Sequence, residues 1–151
     1  MNGDRHARLT WLVRGATAVY AALLIALTLL PLGTYPYPPP NPYPFATIGQ
    51  LFGPDGLDGS VLRLIVGNVV AFMPLGGLTP LLVPRRRSWL FVLLVAAVAS
   101  TAIELAQLGL SAALGYTYRQ SDVDDVILNV IGALLGYALF TAFVRRAERS
   151  G

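Results

Sequence analysis

Residues 61–110 read VLRLIVGNVVAFMPLGGLTPLLVPRRRSWLFVLLVAAVASTAIELAQLGL. Two apolar runs, Val61 to Val83 and Trp89 to Leu110, flank three consecutive arginines, Arg85, Arg86 and Arg87. A helix crosses the hydrocarbon core of a bilayer with about 20 residues, and each run is long enough to span with modest tilt. The stretch therefore reads as a membrane hairpin whose turn carries the charge. Outward from it, Trp11 to Leu32 supplies a span before the hairpin and Val126 to Val144 one after it. The first run is uncharged from Gly15 onward. That exceeds the apolar core of a secretory signal, about 7–15 residues, so a retained helix is expected.

Composition agrees with this reading. The 151 residues are 55% hydrophobic and 13% charged, whereas soluble domains carry about 25% charged residues. So few charges cannot cover a soluble core, and so apolar a chain is not a disordered segment. The expected fold is all-α, a polytopic four-transmembrane-helix bundle with helices at about 11–32, 61–83, 89–110 and 126–144. The outer loops fall at about 33–60 and 111–125, and residues 1–151 form one domain. In the first loop, Tyr35 to Pro44 is dense in proline, which favours an extended polyproline path at the headgroup level.

Charge position sets the expected orientation. Nine of the eleven arginines lie before the first span, between the second and third, or after the fourth, leaving Arg63 and Arg119 opposite. The positive-inside rule then puts both termini in the cytoplasm of a bacterial plasma-membrane protein. The isoelectric point near 9.6 follows from the same flanking arginines, so the bilayer is the expected partner and nucleic acid is not. With no cysteine in the chain, disulfides, thiol nucleophiles and thiolate metal sites are excluded. The single histidine, His6, lies on the N-terminal tail and is expected to be inert.

Polar residues inside spans are costly and ask for a partner or a function. Ser100, Glu104, Gln107 and Ser111 follow 4, 3, 4 spacing and share one helix face. Asp122, Asp125, Asn129 and Gly132 share another, with Asp124 pointing elsewhere. With Asn68 and Arg119, these groups collect at the outer leaflet, and the inner halves of the helices carry almost no polar stripe. Interhelical hydrogen bonding and loop pinning by Arg119 with Asp122 or Asp125 form the structural alternative. Gly132-x-x-x-Gly136 allows close helix approach, and Pro74 predicts a kink in the second span, with an irregular helix along its inner half as a further possibility.

Four segments resemble the VanZ-like family of bacterial membrane proteins. Asn41-Pro-Tyr-Pro-Phe-Ala-Thr-Ile48 resembles its Asn-x-x-Pro-Phe-x-Thr-Ile segment. Gly67-Asn-Val-Val-Ala-Phe-Met-Pro-Leu-Gly76 resembles its Gly-Asn-x-x-x-Phe-x-Pro-x-Gly signature. Glu104-x-x-Gln107 resembles its Glu-x-x-Gln pair, and Arg119 to Gly132 its Arg-Asp-Asp-Asn-Gly element. The prolines and tyrosines just before Asn41 depart from the pattern. The resemblance implies a cell-envelope role and a connection to susceptibility to glycopeptides of the teicoplanin type, without supplying a reaction.

The leading functional expectation is an outer-leaflet site for a lipid headgroup, a lipid-linked envelope precursor or a glycopeptide-related ligand. Arg119, with Arg63 as a second candidate, would hold phosphate or carboxylate. Asn68, Gln107 and Asn129 would add neutral hydrogen bonds, and Glu104, Asp122 and Asp125 would orient the arginine or take a proton. The alternative is a membrane-embedded hydrolase or transferase on a lipid-linked substrate, with Glu104, Asp122 and Asp125 as its catalytic candidates. No cofactor is expected. A divalent cation between Asp122 and Asp125 belongs to that alternative alone. A small transporter is a third reading.

Overall fold

The computed structural model describes residues 2–30, 39–53 and 59–150, with the side chains of the first helix described from Ala7 onward. The chain forms α1 (Asn2–Leu29), a short α2 (Ala46–Gly49) that continues as a 3-10 turn over Gln50–Phe52, α3 (Gly59–Leu82), α4 (Trp89–Leu114) and α5 (Val123–Ser150). A second 3-10 turn, Pro84–Arg86, joins α3 to α4. Four of the helices are long and apolar enough to cross a membrane. The protein is thus an all-α membrane bundle. Leu23, Val70, Leu94, Val98 and Leu139 are all exposed on their flanks. In water they would make an apolar patch far larger than soluble proteins carry, whereas in a bilayer they meet acyl chains.

The ends of the helices follow local chemistry. Ser88 caps α4, its hydroxyl accepting from the Phe91 amide at 3.2 Å, so the helix begins immediately after the arginines. Gly115 closes α4 in the left-handed region at φ 74°, its amide donating to Ser111 O, a conformation that favours glycine. The helix boundaries differ from the sequence reading: α1 spans 2–29, α3 starts at Gly59 and α5 runs on to Ser150. The segment between α4 and α5 shrinks to 115–122, because α4 runs on to Leu114 and α5 starts at Val123. Asp124 and Asp125 therefore occupy the first turn of α5, where carboxylates complement the helix dipole. The first outer loop contains the short helix α2, and α3 runs unbroken through Pro74 and Pro80 rather than becoming irregular. Residues 35–38 of the polyproline reading and the side chain of His6 lie outside the described residues.

The tightest contact is between α3 and α5, which run parallel. A Cβ on Gly132 would lie 2.1 Å from Val69 O, one on Gly136 1.9 Å from Met73 O, and one on Gly76 1.8 Å from Ala133 O. Backbone here meets backbone, the arrangement that small-residue stripes permit when no hydrophobic effect drives helices together. Around it, Phe72, Val92, Ala96 and Ala133 are fully buried, with Tyr20 and Tyr137 packed against the cluster. Both tyrosines also secure backbone. Tyr20 donates to Ala71 O at 2.9 Å in α3, and Tyr137 donates to Arg87 O at 3.0 Å, fixing the arginine turn to α5.

Candidate functional site

The polar residues gather at the end of the bundle opposite the arginine turn, and they form a network that closes that end. Its centre is the segment Ser121 to Asp125. Asp122 sits just before α5 and accepts from the Asp124 amide at 2.9 Å, an N-cap for the helix. The same carboxylate accepts from Asn41 Nδ2 at 3.3 and 3.4 Å and from the Thr47 hydroxyl. Glu104, reaching up from α4, accepts from Ser121 Oγ at 2.6 Å and from the Asp122 amide at 3.0 Å. Two backbone bonds run alongside, Asn41 N to Ser121 O at 2.9 Å and Val123 N to Asn41 O at 3.2 Å. Together these bonds stitch segments 39–53 and 115–122 into one layer.

Asp124 is fully buried. Its carboxylate accepts from the amides of Phe45, of Thr47 at 2.8 Å and of Ile48 at 3.0 Å. These are the unpaired amides at the start of α2, so an aspartate from α5 caps a helix from 77 residues away. Phe45, whose amide it holds, adopts φ 66°, a left-handed conformation unusual for a bulky residue. The network anchors this turn.

The last carbonyls of α1 find partners from elsewhere in the chain. Gln107 Nε2 donates to Thr28 O at 2.9 Å, Tyr118 Oη to Leu29 O at 2.6 Å, and Arg119 Nη1 to Leu30 O at 3.4 Å. Arg119 thus sits at a helix C-terminus, where the dipole favours a cation. Pinning of the loop by Arg119 with Asp122 or Asp125 is not what the geometry shows, since these carboxylates take their hydrogen bonds from neutral donors. The arginine still lies within electrostatic reach of Glu104 and Asp125, and Asp125 within reach of Glu104 and Asp122.

Deeper between the helices, Asn68 on α3 donates to Asp125 Oδ1, and Asn129 Nδ2 on α5 donates to Ser100 Oγ at 2.8 Å on α4. Two amide oxygens remain. Gln107 Oε1 and Asn129 Oδ1 are buried with no hydrogen-bond partner, although each side chain is only 4% exposed. Arg63 stays apart from the network; it is exposed, and its Nε donates to Gly59 O at 3.0 Å within α3. Among the described residues, no group of three or more acidic or histidine side chains converges as a metal site.

A family model described as VanZ/LLP1 matches residues 17–144. The chain belongs to the VanZ/LLP1 family. Among curated proteins and solved structures, none matches it significantly. The match takes in the whole network of this VanZ/LLP1 protein, from Thr28 to Asn129. Asn68, Glu104, Gln107, Asp122 and Asp125 take part in these hydrogen bonds, with Arg119 at the rim, while Asn129 pairs with Ser100 alone. Reasoning from spacing missed Asn41, Thr47, Ser121 and Tyr118, whose partners are remote in sequence. Asn41 and Thr47 do belong to the Asn41–Ile48 segment already set apart as a motif, and that was the signal available for them.

Proposed function

We propose that this VanZ/LLP1 protein binds the polar head of an envelope lipid or lipid-linked precursor at the acidic end of its bundle. The observation that carries this reading is the pair of buried, unpartnered oxygens on Gln107 and Asn129. A buried acceptor without a donor costs about 1–3 kcal/mol, and a headgroup bearing hydroxyl or ammonium groups supplies the missing donors. Arg119, half-buried beside α1 and weakly bonded, is the cation placed to meet the phosphate of such a headgroup. Asp122, Asp124 and Glu104 are committed to holding the outer layer together, which leaves Asp125, bonded to Asn68, as the carboxylate to face a ligand. A ligand of this class also gives the protein a route to alter glycopeptide susceptibility, because glycopeptides act on the same lipid-linked material.

The test is lipid retention by the purified protein. Gln107→Ala and Asn129→Ala should each lower retention of the co-purifying lipid about tenfold, the equivalent of one lost buried hydrogen bond. Mass spectrometry of the extracted lipid would read this. Equal retention in both variants would mean that ordered water pairs these oxygens, and the reading would fail.

The proposed setting is the bacterial plasma membrane with both termini cytoplasmic and the acidic end outside. Because the chain has no cysteine, single substitutions report directly. In intact cells, Tyr116→Cys should react with a membrane-impermeant maleimide. Ser150→Cys should react only after permeabilisation, and the reverse pattern would invert the topology.

A further inference from the structure

At the opposite end of the bundle, α1, the end of α3 and the α3–α4 turn line a cleft of about 290 Å³. Arg14 from α1 and Arg87 from the turn both line it. Between the arginines the walls are mainly apolar, formed by Leu9, Val13, Leu81, Leu82 and Pro84 with Thr10 among them, and no carboxylate lines the cleft. Arg14 is the last charge before the uncharged stretch of α1, and Arg87 follows the end of α3 by five residues. Both guanidinium groups therefore sit where hydrocarbon gives way to headgroups. Trp11, whose ring lies 5.6 Å from the Arg14 guanidinium carbon, marks the same level. Tyr137 holds the Arg87 carbonyl at 3.0 Å, so the turn does not drift.

We propose that this cleft is a binding site for the phosphate-bearing headgroup of an anionic phospholipid. Positive-inside placement accounts for arginines at this end of the bundle, but it asks nothing of their convergence. Here two of them, one from α1 and one from the α3–α4 turn, line one concavity with mainly apolar walls. Two guanidinium forks match the oxygens of a phosphodiester, and the walls suit the first carbons of the acyl chains. The volume lies at the lower limit of ligand pockets, about 300–1,000 Å³, which fits a headgroup and not a whole lipid. Basic pockets between transmembrane helices take lipid headgroups in this way. The site is independent of the one at the acidic end.

The experiment is a titration of the purified, detergent-solubilised full chain with phosphatidylglycerol, followed by native mass spectrometry. Phosphatidylcholine and inorganic phosphate serve as parallel probes. Phosphatidylglycerol should bind, and the double variant Arg14→Gln/Arg87→Gln should lose at least tenfold of that binding. Arg14→Lys/Arg87→Lys, which keeps the charge, should retain most of it, and Arg146→Gln/Arg149→Gln should change it less than twofold. Equal loss in that last pair would show a diffuse charge effect and overturn the proposal. So would equal binding of phosphatidylcholine, displacement of the lipid by millimolar phosphate, or unchanged binding in Arg14→Gln/Arg87→Gln. If that glutamine pair does not fold, Arg14→Gln alone decides. It should lose at least threefold, and no loss would overturn the site.

Discussion

Gly132→Ala is expected to leave little folded protein, although the substitution adds a single methyl group. Alanine in a helix interior is normally better than glycine by about 1 kcal/mol, so local propensity predicts the opposite sign. The methyl carbon would fall 2.1 Å from Val69 O and 2.8 Å from Val69 C. Neither atom is the free end of a side chain; to clear them, α3 and α5 must separate along their length. Separation would pull Asn68 from Asp125 and open the contacts at Gly76 and Gly136, where the same clearance is missing. Overpacking of side chains costs about 1–3 kcal/mol, and a backbone collision of this kind lies at the top of that range or beyond it. Gly136→Ala should behave alike. Gly67→Ala and Gly109→Ala provide the contrast, since a Cβ at either meets nothing within 4 Å, and both should be neutral or mildly stabilising. Thermal unfolding of the four variants in detergent, followed by loss of the monodisperse peak, measures the difference. Equal melting of Gly132→Ala and Gly67→Ala would refute the close contact.

The second large effect is expected at Asp124. Removing its carboxylate in Asp124→Ala strips three amides of their acceptor in a fully buried position. Hydrogen bonds to a charged group contribute about 1.5–3 kcal/mol each, so the loss exceeds what the short helix α2 can absorb. The outer segment 39–53 should detach while the four long helices stay packed. Limited proteolysis would show this as new cleavage between Asn41 and Phe52, with the bundle fragments intact. Asp124→Asn, which keeps one acceptor oxygen, should fall between the two. If the segment is protected equally in Asp124→Ala, α2 is held by something other than this cap.

These two residues also show what could be read from the sequence and what could not. The four spans were legible because a bilayer demands long apolar helices, and nothing else uses such runs. The shared face of Ser100, Glu104 and Gln107 was legible for a similar reason: helical spacing is local, and all three are buried. Gly132 and Gly136 announced close packing but not its partner, because no spacing rule names Val69 and Met73. Spacing puts Asp124 off the shared face, and it is. Its destination 77 residues earlier carries no local signal, and the sequence reads its place just inside α5 as loop. The same limit hid the role of Arg119. A lone arginine on an outer loop reads as an anion ligand or an ion-pair partner, and only the path of the chain brings it to the end of α1.

That path has a consequence for biogenesis. The carbonyls of Thr28, Leu29 and Leu30 wait for donors at Gln107, Tyr118 and Arg119, which leave the ribosome about 79 to 89 residues later. The amides of Phe45, Thr47 and Ile48 wait for Asp124. Until the stretch from Tyr118 to Asp125 emerges, the end of α1 and the start of α2 lack these partners. Residues 118–125 therefore complete the work of residues 28–48, and a chain truncated before them keeps three of its spans but loses α5 and leaves that end of the bundle open.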